Sequence, residues 1–128
     1  MNMISISIIE DDQLISQMYR MKFEAENFEV NVAGTGMDGI KMVEETHPDL
    51  ILLDITLPDI EGSAVLSGIR NIPTAAATPV VVLTNLDDAS APAQLAKWDI
   101  DDYIVKANST PREVVAKVKA VLHRLQKI

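Results

Sequence analysis

Residues 50–59 read LILLDITLPD, four aliphatic side chains followed by Asp54, then Thr56 and the breaker pair Leu57-Pro58. An unbroken apolar run of this length, closed by turn residues, fits a strand buried on both faces of a sheet. A carboxylate at the tip of such a strand sits oddly with the run that leads to it. In open parallel sheets, however, ligands gather outside the carboxyl ends of the strands. Asp54 therefore lies where a carboxylate can do chemistry.

Working outward from this run, strands and helices alternate. Met3 to Ile9 (MISISII) alternates and then becomes wholly apolar, predicting a strand buried toward its end. Leu14, Met18, Met21 and Ala25 follow at helical spacing, and Phe28 to Val32 alternates again. Thr35-Gly-Met-Asp38 resembles a capping box opening a helix through Met37, Ile40 and Val43. That helix stops before His47-Pro48, because a residue preceding proline avoids helical geometry. Gly62 to Arg70 reads as a short helix and Pro79 to Leu83 (PVVVL) as a β-branched strand. A weaker helical pattern covers 87–98, with Pro92 tolerable in a first turn, and Tyr103 to Val105 is a last short strand. STPRE then punctuates the final helix: Thr110 as N-cap, Pro111 at the first helical position and Glu113 closing a capping box, ahead of Val114, Val118, Val121 and Leu125. Five apolar strands joined by helices predict one three-layer α/β domain over 1–128, its parallel sheet covered on both faces.

Composition narrows the function. Zero cysteines exclude disulfides and thiolate metal sites. No apolar run approaches the roughly 18 residues of a membrane span. The apolar N-terminal stretch has no basic region before it, unlike a signal peptide. A cytoplasmic protein is expected. The net charge of −8 argues against nucleic-acid binding by this domain. From Lys106 onward there are six basic residues against one acid, which suits either the dipole of the last helix or a docking face for an acidic partner.

The strand ends give a short set of reactive groups. Strand one ends in Glu10-Asp11-Asp12, strand three in Asp54, strand four in Thr84-Asn85 and strand five in Lys106. Taken singly, each has an ordinary explanation as a turn residue, a cap or a solvated charge. Together, at one rim, they make a specific set. Converging carboxylates suit Mg²⁺, which takes few protein ligands and keeps several waters. A hydroxyl and a lysine on the far side of Asp54 would bind an oxyanion. A carboxylate flanked by a metal and an ammonium is set up to accept a phosphoryl group.

These residues resemble the receiver domain of a bacterial two-component response regulator, over essentially the whole chain. The acidic pair falls on Glu10 and Asp11, and the phosphoacceptor motif D-x-x-x-P-x-x-x-G on DITLPDIEG, with Pro58 and Gly62 in place. The hydroxyl residue, switch aromatic and lysine match Thr84, Tyr103 and Lys106. The resemblance implies a flavodoxin-like (βα)5 fold with strand order 2-1-3-4-5. It implies phosphorylation of Asp54 and an Mg²⁺ site, with Mn²⁺ as a substitute, made by Asp11, Asp54 and the Thr56 carbonyl, Glu10 acting through water. It further implies phosphoryl oxygens held by Thr84 and Lys106, with side chains at Thr56 and Leu86 tuning the lifetime. The implied partners are a sensor histidine kinase or histidine phosphotransfer protein and a downstream target or output domain, with dimerisation on phosphorylation as one response. Such a domain is a regulatory phosphoacceptor rather than an enzyme. The chain then either acts alone through protein contacts or is part of a longer regulator.

The sequence departs from the family pattern twice. Alanine follows Lys106 where the family has a proline joined by a cis bond, and Trp98-Asp99 stands where it tends to have glycine. A cis bond without proline costs about 2.5–4 kcal/mol, so Lys106-Ala107 is either strained or trans. Rival chemistries fit less well. A haloacid-dehalogenase-like phosphatase wants a second Asp two residues after its nucleophile, and Thr56 stands there. A flavodoxin-like phosphate cradle after strand one is incompatible with the charge of EDDQ. Gly34, Gly36 and Gly39 fit G-x-G-x-x-G, a weak signal after the second strand. His47 and His123 read as helix-end and surface residues, and Trp98 as half-buried packing.

Overall fold

The run at 50–53 is a strand that carries its acid with it: β3 spans Leu50–Asp54 and every one of its residues is buried. The computed structural model describes residues 3–85 and 95–128. Around β3 are β1 (Ser5–Ile9), β2 (Glu29–Ala33), β4 (Val80–Thr84) and β5 (Asp102–Val105), in the order β2-β1-β3-β4-β5. All neighbouring pairs are parallel. The described helices are α1 (Gln13–Ala25), α2 (Gly36–Thr46), α3 (Gly62–Arg70) and α4 (Pro111–Arg124). The helix expected over 87–98 falls, as far as residue 94, outside the described residues, as does Leu86.

Strand alternation divides the core in two. Ile6, Ile8, Leu50, Leu52, Val81 and Leu83 face α1 and α4, meeting Tyr19, Phe23, Val114 and Val118. Ile9, Ile51, Leu53, Val80 and Val82 face α2 and α3, meeting Val43, Val65 and Ile69. The three-layer, doubly wound expectation and its strand order are thus correct.

The buried face of α1 differs from the expected stripe. Leu14 and Met21 are 73% and 69% exposed, whereas Ser16, Tyr19 and Phe23 are buried. Apolar spacing alone points to Leu14, Met18 and Met21 as the inner face. Two aromatic rings fill the layer between sheet and α4 better, and Ser16 becomes buriable by donating its hydroxyl to the Gln13 carbonyl at 3.1 Å.

Helix starts follow their caps. Thr110 and Glu113 complete the capping box of α4, with Pro111 at the first position. Thr35 caps α2 through the Asp38 amide at 3.1 Å, but the first two amides of that helix turn elsewhere. Gly36 and Met37 donate to the Asp59 carboxylate at 2.8 and 3.0 Å. The glycines of α2 serve close packing, not a phosphate loop. A Cβ on Gly36 would lie 2.6 Å from Ile60, and one on Gly39 2.6 Å from Ile9.

The two departures resolve simply. No cis peptide occurs among the described residues, so Lys106-Ala107 is trans, entering a single 3-10 turn at Lys106–Asn108. Asp99 needs no glycine-like backbone; its carboxylate lies 2.9 Å from the Arg70 guanidinium, which also donates to the carbonyls of Ala75, Thr78 and Asp99.

Candidate functional site

Parallel register brings the ends of four strands to one rim. Ile9 pairs with Leu53, Asp54 with Leu83 and Thr84 with Val105. The next residues along β1 and β5, Glu10 and Lys106, therefore join Asp54 and Thr84 at the same edge. Glu10 and Asp54 are each only 1% exposed and Thr84 is fully buried, whereas Asp11 is exposed.

Lys106 is the hub. Its ammonium donates to Glu10 Oε2 at 3.0 Å and to Asp54 Oδ2 at 2.9 Å. It therefore bridges the two buried acids instead of standing on the far side of Asp54, as the sequence suggested. The other oxygen of Asp54 accepts the Thr56 amide at 2.9 Å, and Glu10 Oε1 accepts that of Asp12 at 3.2 Å. Both oxygens of Asp54 are thus oriented by donors. Tyr103 stands apart from this group, half-buried against the cluster that includes Leu95, Trp98 and Ile100. Thr56 is exposed in the loop after β3.

Electrostatics at the rim are unbalanced. Burial, then the neighbouring charge of Asp54, pushes the Glu10 carboxyl up to about 7. Burial disfavours the charged Lys106 ammonium, but its bonds to Asp54 and Glu10 outweigh this and hold it above its ordinary value. Beneath the site, burial also raises the Tyr19 phenol, which feels Lys106, Glu10 and Asp54. Tyr19 lies outside the apolar stripe that spacing predicts for α1, so periodicity alone does not bring it to the site.

Glu10, Asp11 and Asp54 each offer a carboxylate oxygen, and these lie within 4.8 Å of one another. Hard oxygens so placed, short of positive charge, fit Mg²⁺. The folded pKa of Glu10 lies above its ordinary 4.5, so the folded chain holds the extra proton at intermediate pH. The corresponding stability is full below about pH 4.5 and is lost as pH rises through about 7. Urea unfolding in divalent-free buffer should therefore show stability declining across that window. Glu10→Gln should flatten the decline; an unchanged slope would remove Glu10 as its source.

Among the described residues, no helix is long and apolar enough to cross a membrane. The fold and rim define a flavodoxin-like α/β domain with a buried acidic site outside its central strand. Residues 6–119 match the response regulator receiver domain. The chain is 35% identical to the phosphate regulon transcriptional regulatory protein PhoB of Rhizobium meliloti (strain 1021), over 93% of this chain and 52% of that protein. It is 38% identical to the transcriptional regulatory protein ResD of Bacillus subtilis (strain 168), over 96% of this chain and 50% of that one. Among solved structures, a CheY-like response regulator receiver domain protein from Methanospirillum hungatei JF-1 superposes with a TM-score of 0.86 at 27% identity, covering 98% of each chain. The chain belongs to the response regulator receiver domain family, whose role in two-component signalling is regulatory. It spans about half the length of the curated relatives it matches.

Proposed function

We propose that residues 1–128 form one receiver domain that switches on phosphorylation of Asp54, in the cytoplasm. The observation that carries this reading is the buried Asp54 carboxylate, held by the Lys106 ammonium and the Thr56 amide beside Glu10 and Asp11. An Asp54 oxygen attacks the phosphorus of a phosphohistidine on a histidine kinase or phosphotransfer protein. The phosphorus–nitrogen bond breaks, and the ring leaves as neutral imidazole, its proton being the one already carried on the other nitrogen of the protonated phosphohistidine.

Lys106 exchanges its bond to Asp54 for one to a phosphoryl oxygen, and the Thr84 hydroxyl holds another. Asp11, Asp54 and the Thr56 carbonyl would hold Mg²⁺, with Glu10 acting through water. When bound, the metal neutralises charge on the transferring oxygens. Thr84 moves toward the phosphoryl oxygens and vacates space into which Tyr103 turns, which changes the face formed by β5 and α4. That face meets a downstream protein or an output domain; the names of the relatives favour transcriptional regulation.

Incubation with a small phosphodonor tests the reading. Labelling should require Mg²⁺ and be lost in EDTA. The metal should also stabilise the folded chain, by about 1.4 kcal/mol at ten times its dissociation constant. Asp11→Asn should lose both effects. A variant that Mg²⁺ still stabilises like wild type would show that Asp11 is not a ligand.

A further inference from the structure

We propose that Asp59 is a positioning residue for the phosphoacceptor loop, fixing it to the first turn of α2. The inference rests on the receiver reading above, and it adds a residue outside the reactive group. Three contacts bear on the position of the loop between β3 and α3, residues 55–61. Its Ile55 amide donates to the Leu83 carbonyl of β4 at 3.1 Å. Its Thr56 amide donates to Asp54 at 2.9 Å. Its Asp59 carboxylate takes both free amides at the start of α2, Gly36 at 2.8 Å and Met37 at 3.0 Å.

Those amides have no partner within their own helix, and Asp59 meets them with one oxygen each. The amide bonds of Met37 and Gly36 hold the Asp59 carboxyl below its ordinary range, as a carboxylate committed to two donors requires. The contact is seated by packing. Ile60, next in the chain, lies against Gly36, so close that a Cβ there would come within 2.6 Å. The middle of the loop is thus tied to a helix on the α2–α3 face of the sheet. Thr56 lies between this tie and Asp54, so the placement of its carbonyl depends on both.

Removing the tie should loosen the carbonyl that the metal needs while leaving every carboxylate of the rim in place. Asp59→Ala should weaken Mg²⁺ binding about tenfold, the low end of what loss of an outer-shell partner costs. Titration of the unphosphorylated protein, followed by the fluorescence of Trp98 or by calorimetry, reads this directly. Thr35→Ala is the matched control, because it removes the other cap of α2 without touching the loop. It should lower the melting temperature to a similar degree yet keep wild-type Mg²⁺ affinity. Asp59→Asn, which keeps one acceptor oxygen but no charge, should fall between wild type and Ala.

Equal affinity in Asp59→Ala and wild type would overturn the proposal. So would equal weakening in Asp59→Ala and Thr35→Ala, which assigns the effect to helix stability, or equal weakening in Asp59→Ala and Asp59→Asn, which assigns it to charge. Failure of wild type itself to bind Mg²⁺ would instead remove the receiver reading on which the inference stands.

Discussion

Asp54→Asn abolishes labelling by a phosphodonor, and the variant keeps its fold. The amide is nearly isosteric with the carboxylate, and its carbonyl oxygen remains able to accept from Lys106 or the Thr56 amide. Its reactivity is what changes: an amide does not attack phosphorus. The substitution also removes one of two buried acids that share a single ammonium. In divalent-free buffer the variant should therefore be at least as stable as wild type, and its Glu10 carboxyl should titrate closer to the ordinary value. Intact-mass measurement after donor treatment, together with a urea melt, reads both outcomes. Full labelling mapped to another residue would sink the assignment of the acceptor.

Lys106→Met has the largest expected effect on stability. Lys106 is the shared counter-ion of Glu10 and Asp54, both almost wholly buried. Methionine matches the length of the stem but leaves two carboxylates facing each other without compensation. Removing one partner from a buried pair costs about 3–5 kcal/mol, and the low end applies here because Glu10 relieves the strain by taking a proton. The sign with pH follows. The folded Glu10 value, already about 7, rises further in the variant, so the deficit is small in acid and grows as pH rises. Urea melts of wild type and variant at about pH 5 and about pH 8 measure this, and a deficit that shrinks toward high pH would refute it. Mg²⁺ should recover part of the loss by supplying positive charge at the same rim.

Much of this was legible in the chain because strands buried on both faces leave unbroken apolar runs. β3 could be read as LILL plus its acid, and β4 as PVVVL, each within a residue or two of the structure. Once the strand ends were known, parallel register did the rest. Glu10, Asp54, Thr84 and Lys106 come together because each is at or next to the end of a parallel strand.

What escaped was pairing at a distance. Asp59 caps a helix that begins 23 residues earlier, and nothing local to PDIEG announces it. Arg70 reaches both the carbonyl and the carboxylate of Asp99, 29 residues on, and the second contact is one that only an acid at this position supplies. The inner face of α1 was misassigned because spacing alone cannot rank Phe23 and Tyr19 over Met18 and Met21. The bridging position of Lys106 is likewise a property of three strands at once.

The central claim is that Asp54 becomes an acyl phosphate, and reduction by borohydride tests it most directly. Wild-type protein is treated with a phosphodonor and Mg²⁺, reduced, digested and sequenced by mass spectrometry. An acyl phosphate at Asp54 is converted to the alcohol, so homoserine should replace aspartate at position 54 in treated protein alone. Homoserine at another acid, such as Asp11 or Asp59, or unmodified Asp54 in protein that carries the label, would contradict the account.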